Sequence, residues 1–356
     1  MLGSSLIERK TMSSHSRRLL TSLALVATAA LALTACAVSG TPAADEGATE
    51  SSDAYPVTIE HVFGETEITE KPERIVTIGW YAQDVAAALG VVPVGVEDFS
   101  WGTVDTYLPW FADKVDELGG ELPEVLSLTD SGDYDYEQIL ALDPDVILAV
   151  HSGIDEKTYD RLAEIAPTVA YADKVWSSER EDLTLKVGRI LGQEEETQAL
   201  LDESDAAIAA AAADHPEFAG VVFTYGWFLP EAQTSADLYL QRDPRVRLTE
   251  ELGFVSSPQV VGAADSTEDF TFAVSLEELA DVESQFHIGW GNSPEDVTRT
   301  VENPLVSRWA PIANGSYYFF LDNSTLSWAT TAPSVLSIPA TIDEIADELA
   351  SGLKTN

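Results

Sequence analysis

Six of the eight tryptophans in this 356-residue chain come just after short apolar runs of the kind that form buried β-strands. Trp80 follows residues 75–78, Trp101 follows 94–96, Trp176 follows 168–171, Trp227 follows 221–224, Trp290 follows 285–288 and Trp328 comes after 317–320. Tyr81, Tyr225 and the pair Ser152 and Gly153 stand at similar strand ends, whereas Trp110 and Trp309 do not. A lone loop tryptophan packs in a core or an interface more often than it meets a ligand, and it is the joint placement that argues for a site. In open α/β sheets, ligands sit beyond the carboxyl ends of the strands. Flat rings with a few polar contacts would grip a bulky, partly apolar ligand there. Tyr239 and Arg242 supply an aromatic and a basic side chain able to reach a ligand oxygen, unless Arg242 is simply a surface arginine near Asp243.

The elements that must position these groups read as α/β. Residues 57–69 alternate apolar and polar around Gly64, the pattern of a β-hairpin. Residues 74–78 form a buried strand, 83–89 a helix stopping at Gly90, and 91–96 a second strand. A helix over 137–142 breaks at Asp143-Pro144 and is followed by an apolar strand over 145–150, a helix over 157–165 and a strand over 168–171. Ser178 to Glu181 has the capping-box spacing, and helical sequence then runs to about Ala213 with a break near Gly192. The alternation resumes with strands at 221–224, 285–288 and 317–320 and helices at 248–252, 276–279 and 342–350. The expected architecture is two doubly wound α/β lobes, 55–177 and 215–356, joined by a helical connector over 178–214, with a ligand cleft between them.

The single cysteine, Cys36, closes Leu33-Thr34-Ala35-Cys36 after an uncharged, Leu- and Ala-rich run preceded by Arg17 and Arg18. A basic start, a short apolar core and small residues before the cut describe a signal peptide over 1–35, too short to span a bilayer comfortably. A start at Met12 would leave a compact signal, and Arg17-Arg18 leaves open export by the Sec or the twin-arginine route. A cysteine at the cut is where bacterial lipoproteins carry their lipid, so Cys36 is the expected lipidation site of an extracytoplasmic, membrane-anchored protein. Residues 37–54 lack large apolar side chains and read as a disordered tether. Without residues 1–35, 15 Lys and Arg face 60 Asp and Glu, a charge that repels nucleic acid. The four remaining histidines are scattered, which argues against a metal cage. Gly-x-Ser-x-Gly, His-Glu-x-x-His and phosphate-loop patterns are absent. Asp133 and Asp135 would suit an exported glycoside hydrolase, although so acidic a chain produces such pairs by chance.

Glu137 and Glu277 begin matching segments of the two halves, Tyr136-Glu137-Gln138-Ile139-Leu140 and Leu276-Glu277-Glu278-Leu279. Taken alone they read equally well as helix-start acids favoured by the macrodipole. Together with Lys71 to Val76, Asp84 to Gly90, Pro144-Asp145-Val146-Ile147 and Ala166-Pro167-Thr168-Val169, the chain resembles the substrate-binding lipoproteins of ABC importers for iron-siderophores, haem and cobalamin. The second half matches less literally, through Glu250 to Phe254, residues 275–279 and the terminal helix. The resemblance implies a monomeric binding protein, not an enzyme, that carries an iron chelate to an importer permease and has no cofactor of its own. It also implies that Glu137 and Glu277 meet arginines of that permease. With few arginines to spare, the chain leans towards a neutral or cationic ferric hydroxamate over an anionic catecholate. Haem is the alternative and would call on His151 or Tyr225 as an axial ligand; cobalamin would also accept an aromatic cleft.

Overall fold

The computed structural model describes residues 54–100, 105–129, 131–227, 232–321 and 324–354. The first lobe opens with an antiparallel hairpin, β1 (Val57–His61) and β2 (Gly64–Ile68), whose alternation turns Val57, Ile59 and Ile68 inward. Then come β3 (Ile75–Gly79), α1 (Ala82–Ala88), β4 (Gly95–Val96), α2 (Pro109–Glu117), β5 (Glu124–Val125), α3 (Tyr136–Ala141), β6 (Val146–His151), α4 (Glu156–Ala163) and β7 (Thr168–Ala170). These five strands form a parallel sheet in the order β5-β4-β3-β6-β7. Helices cover both faces of the central pair, so β3 and β6 are buried throughout, which is why their sequences are unbroken apolar runs.

Two helices lead into the second lobe, α5 (Arg180–Leu191) and α6 (Glu194–Asp214). Gly192, at φ 65°, takes the left-handed conformation that ends α5 where the sequence places the break. α6 spans both lobes: Leu201 packs in the first lobe's core with Val85 and Leu148, while Ile208 and Ala211 pack with Phe218 and Ile345 in the second. The capping box does not form. Glu179 is the N-cap and its side chain caps nothing, while the Ser178 hydroxyl donates to the Val150 carbonyl.

The second lobe holds β8 (Val222–Trp227), β9 (Ser235–Tyr239), α7 (Pro244–Glu251), β10 (Val255–Ser256), α8 (Pro258–Ala263), β11 (Thr271–Ser275), β12 (Phe286–Gly291), α9 (Pro294–Glu302), α10 (Ala310–Ala313), β13 (Tyr317–Leu321), α11 (Thr325–Thr331) and α12 (Ser337–Gly352). β10, β12 and β13 extend β8 in parallel, but β9 is antiparallel to both β8 and β11. This sheet is therefore mixed, and its half-buried β9–β11 ribbon carries no clean period for sequence reading to find. Residues 276–279 are a turn running into a short 3-10 segment, Leu279–Asp281, instead of a helix. The predicted strand over 91–96 is reduced to β4.

The chain touches the first lobe once more between α11 and α12, where Ala332 and Val335 join its core. Beside them Asp84 of α1 is fully buried, its Oδ2 accepting from Trp110 Nε1 at 2.7 Å and from Ser334 Oγ at 2.5 Å. Burial outweighs these hydrogen bonds and raises the Asp84 pKa to about 6.

Candidate functional site

The first lobe's wall of the interlobe cleft grows out of the ends of β3 and β6. Gly79, at φ 90°, closes β3 so tightly against β6 that a Cβ there would lie 2.0 Å from the His151 carbonyl oxygen, and that oxygen accepts from the Trp80 N–H at 3.2 Å. The turn throws the Trp80 indole into the cleft, where it stacks on Trp176 with centroids 4.2 Å apart and meets Trp328 edge-on at 5.2 Å. Trp176 reaches this stack from the left-handed region, at φ 56°. For a residue with a Cβ that conformation costs about 1–2 kcal/mol, which the packing around the indole must offset. Gly153 leaves room for it, since a Cβ there would sit 2.8 Å from Trp176 Nε1. His151 stands edge-on to the same indole, and burial lowers its pKa to about 3, so the ring is neutral.

The opposite wall comes from the second lobe. Trp227 and Trp290 are register partners at the ends of β8 and β12, and their rings meet at 5.1 Å. Tyr239 stacks on Phe270 across β9 and the start of β11. Asp243-Pro244 starts α7 by placing an N-cap carboxylate before a proline in the first turn. That start turns Arg245 into the cleft, its guanidinium 4.0 Å from the Tyr239 ring centroid. Asp243 Oδ1 accepts from Arg245 Nε and Oδ2 from Nη2, both at 2.8 Å. Together with Pro244, Ser327, Trp328 and Thr331, these side chains enclose a cavity of about 220 Å³.

The cleft takes up Trp80, Trp176, Trp227, Tyr239, Trp290 and Trp328 from the residues expected at the site. Trp101 lies outside the described residues, as does Cys36. Four expectations are corrected. Tyr81 is the N-cap residue of α1 and points into the core, where its hydroxyl meets Thr184 Oγ1 at 2.8 Å. Ser152 is buried and donates back to the Ala149 carbonyl. Tyr225 lies inside β8, two residues short of its end, and is buried behind Tyr239 at a centroid distance of 5.6 Å. Arg242 turns away from the cleft and donates to the carbonyls of Ala264, Thr267 and Asp269. The basic residue of the cleft is instead Arg245, and the Asp243-Pro244 helix start was the sequence signal that could have located it. Of the two axial-ligand candidates for haem, His151 borders the cleft and Tyr225 does not. Trp110 and Trp309 are buried, each with its indole N–H bonded internally.

Glu137 lies in the first turn of α3, which Asp135 caps by accepting from the Glu137 and Gln138 N–H groups at 3.1 Å. Glu277 lies two residues beyond β11, and both glutamates are exposed. Among the described residues, no group of three or more His, Cys, Asp or Glu could hold a metal, and no helix is long and apolar enough to cross a membrane.

Two α/β lobes bridged by a helix, with an aromatic cleft between them, define the class of two-lobed solute-binding proteins. Comparison with known proteins leads to the same class. Residues 75–235 match the periplasmic binding protein family. Streptococcus pneumoniae TIGR4 PiaA, solved in complex with ferrichrome, superimposes with a TM-score of 0.76 at 32% identity, covering 83% of this chain and 98% of PiaA. YhfQ of Bacillus subtilis (strain 168), whose name describes an ABC transporter substrate-binding lipoprotein, is 24% identical across 86% of this chain and 92% of its own length. The Fe(3+) dicitrate-binding periplasmic protein FecB of Escherichia coli (strain K12) is 27% identical over 48% of this chain and 54% of FecB. The chain belongs to the periplasmic binding protein family, in the class of ABC-transporter substrate-binding proteins that serves iron-siderophores, haem and cobalamin, and this is a family of binding proteins and not of enzymes.

Proposed function

We propose that this chain is a lipid-anchored, extracytoplasmic binding protein that captures a ferric siderophore of the hydroxamate class between its lobes and passes it to an ABC importer. The observation that carries this reading is the composition of the cleft: aromatic rings from both lobes and one cation, Arg245, matched by the buried carboxylate of Asp243. The rings offer apolar area and faces to a rounded chelate, and the guanidinium edge that Asp243 does not engage can donate to a chelate oxygen. Ferric catecholates carry several negative charges, and this cleft has no surplus of positive charge to meet them. Ferrichrome, the ligand of PiaA, is an uncharged ferric trihydroxamate, which agrees with the same class. At 220 Å³ the cavity is below the roughly 300 Å³ at which ligand sites begin, so admitting a chelate requires the lobes to separate or the Trp80–Trp176 stack to part.

In this reading Cys36 carries the lipid, residues 37–54 are the tether, and Glu137 and Glu277 engage basic residues of the permease, one from each lobe. Two such contacts reinforce each other through effective concentration. Purified residues 55–356 titrated with ferric hydroxamates, ferric catecholates, haem and cobalamin should show tryptophan quenching at micromolar ferric hydroxamate. Silence from all four classes would overturn the reading. Replacing Glu137 and Glu277 with Ala should leave chelate affinity within about twofold, because both side chains are exposed and neither lines the cleft, while abolishing most cellular uptake. A fall in affinity with uptake limited only by that fall would remove the docking role.

A further inference from the structure

Among the described residues Arg245 is the one arginine lining the cleft, and it is held by a carboxylate that points at it from within the same helix start. Asp243 is 1% exposed, and three donors converge on it: the Arg245 backbone N–H at 2.9 Å, Nε at 2.8 Å and Nη2 at 2.8 Å. A side-on pair of this kind fixes the guanidinium plane and cancels its charge while leaving the Nη1 edge beyond the carboxylate's reach. Tyr239 covers one face of that plane. The other groups around the cavity are aromatic rings, hydroxyls, a proline and a histidine kept neutral by burial.

We propose that Asp243 is the residue that sets the charge selectivity of the cleft: by neutralising Arg245 it leaves a hydrogen-bond donor without net positive charge, which accepts an uncharged chelate and rejects anionic ones. The inference rests on the siderophore reading and adds to it a single residue and a direction. A cleft meant for an anionic chelate would leave its arginines for the ligand, because a charge already paired with a buried carboxylate has little attraction to offer a second anion. The chain's net charge of −42 acts in the same sense at longer range. Selectivity then arises as much from what Asp243 repels as from what the rings attract.

The test uses purified residues 55–356 and two probes, ferrichrome as the uncharged chelate and ferric dicitrate as the anionic one, each titrated at low and at physiological salt. Asp243→Asn keeps an acceptor for the α7 N-cap and removes the charge. It should raise the affinity for ferric dicitrate relative to that for ferrichrome at least about tenfold at low salt, and lose most of that relative gain as salt rises. The double variant Asp243→Asn with Arg245→Gln has no charge in the cleft and should lose the gain for dicitrate. Arg245→Gln alone leaves Asp243 unopposed and should widen the preference for ferrichrome, so the inference stays testable if Asp243→Asn fails to fold. A ratio of the two affinities that stays constant across natively folded variants overturns the role of Asp243 and leaves the siderophore reading standing. A wild-type protein that binds neither probe, nor any other ferric chelate, overturns both.

Discussion

Two of the hollows at the junction between the lobes are opposite in character, and the larger of the two is the less suited to a ligand. A crevice of about 390 Å³ runs between α5, α6 and α7, whereas the aromatic cleft encloses about 220 Å³. Charges that already have partners line the crevice. Arg180, 14% exposed, reaches Asp205 at 2.9 Å and Glu251 at 3.0 Å, and Arg247 reaches Glu179 at 3.2 Å. A ligand entering there would have to break pairs before making its own. In the cleft, apolar rings are available to be removed from water, worth about 25 cal/mol for each Å² buried, and one polar edge is left to orient what binds. Helix α7 belongs to both hollows: Arg245 faces the cleft, while Arg247 and Glu251 hold the start of α5 across the crevice. One hollow is thus lined by apolar rings and the other by charges already paired across the junction.

Trp80→Ala should break the binding side of this contrast most strongly. The indole touches both Trp176 and Trp328, and removing it should weaken ferric hydroxamate binding by about 2–3 kcal/mol, roughly 30- to 150-fold, by calorimetric titration. A loss under threefold would mean that the rings are packing and not a site. Arg180→Ala should do the reverse. It should lower the unfolding free energy by about 2 kcal/mol in urea titrations, because Ser204, Asp205 and Glu251 lose a shared donor, with chelate affinity nearly unchanged. An unchanged urea midpoint would remove the structural role given to the crevice.

Asp84 offers the smallest and most diagnostic effect, since it joins the lobes without lining either hollow. Its pKa is raised by burial from 3.8 to about 6, so the folded form binds the proton more tightly than the unfolded chain does. Lowering the pH from 7 towards 4 through this group therefore favours folding, and the stability it contributes at low pH is lost progressively as pH rises from about 4 to about 6. Relative to Asp84→Asn, the wild-type protein should gain on the order of 1 kcal/mol between pH 7 and pH 5. Parallel stability profiles for the two proteins would show that Asp84 does not titrate in this range.

Much of this layout could be read from local sequence, and the misreadings have local causes too. Trp80, Trp227 and Trp290 were legible because a buried strand shows as an apolar run and a parallel sheet puts its ligand beyond the strand ends. Tyr225 was misread because β8 continues through Trp227, which leaves the tyrosine one pleat deeper under Tyr239. Tyr81 was misread because α1 begins at the next residue and turns the ring towards Thr184. Arg242 and Arg245 differ by less than one helical turn, and the position of the α7 start decides between them.

By itself the sequence determined the alternation of strands and helices, the break at Gly192, and the crowding of aromatic residues at strand ends. Periodicity and glycine conformation act over a few neighbouring residues, and the chain states them directly. Only the tertiary structure decided which rings face the cleft, that Trp176 from beyond β7 stacks on Trp80 from beyond β3, and that the cleft's arginine lies against its own neutralising carboxylate. Such outcomes depend on the residue at which an element ends and on partners brought from distant parts of the chain, where a shift of one or two positions carries a side chain from the core to the cleft.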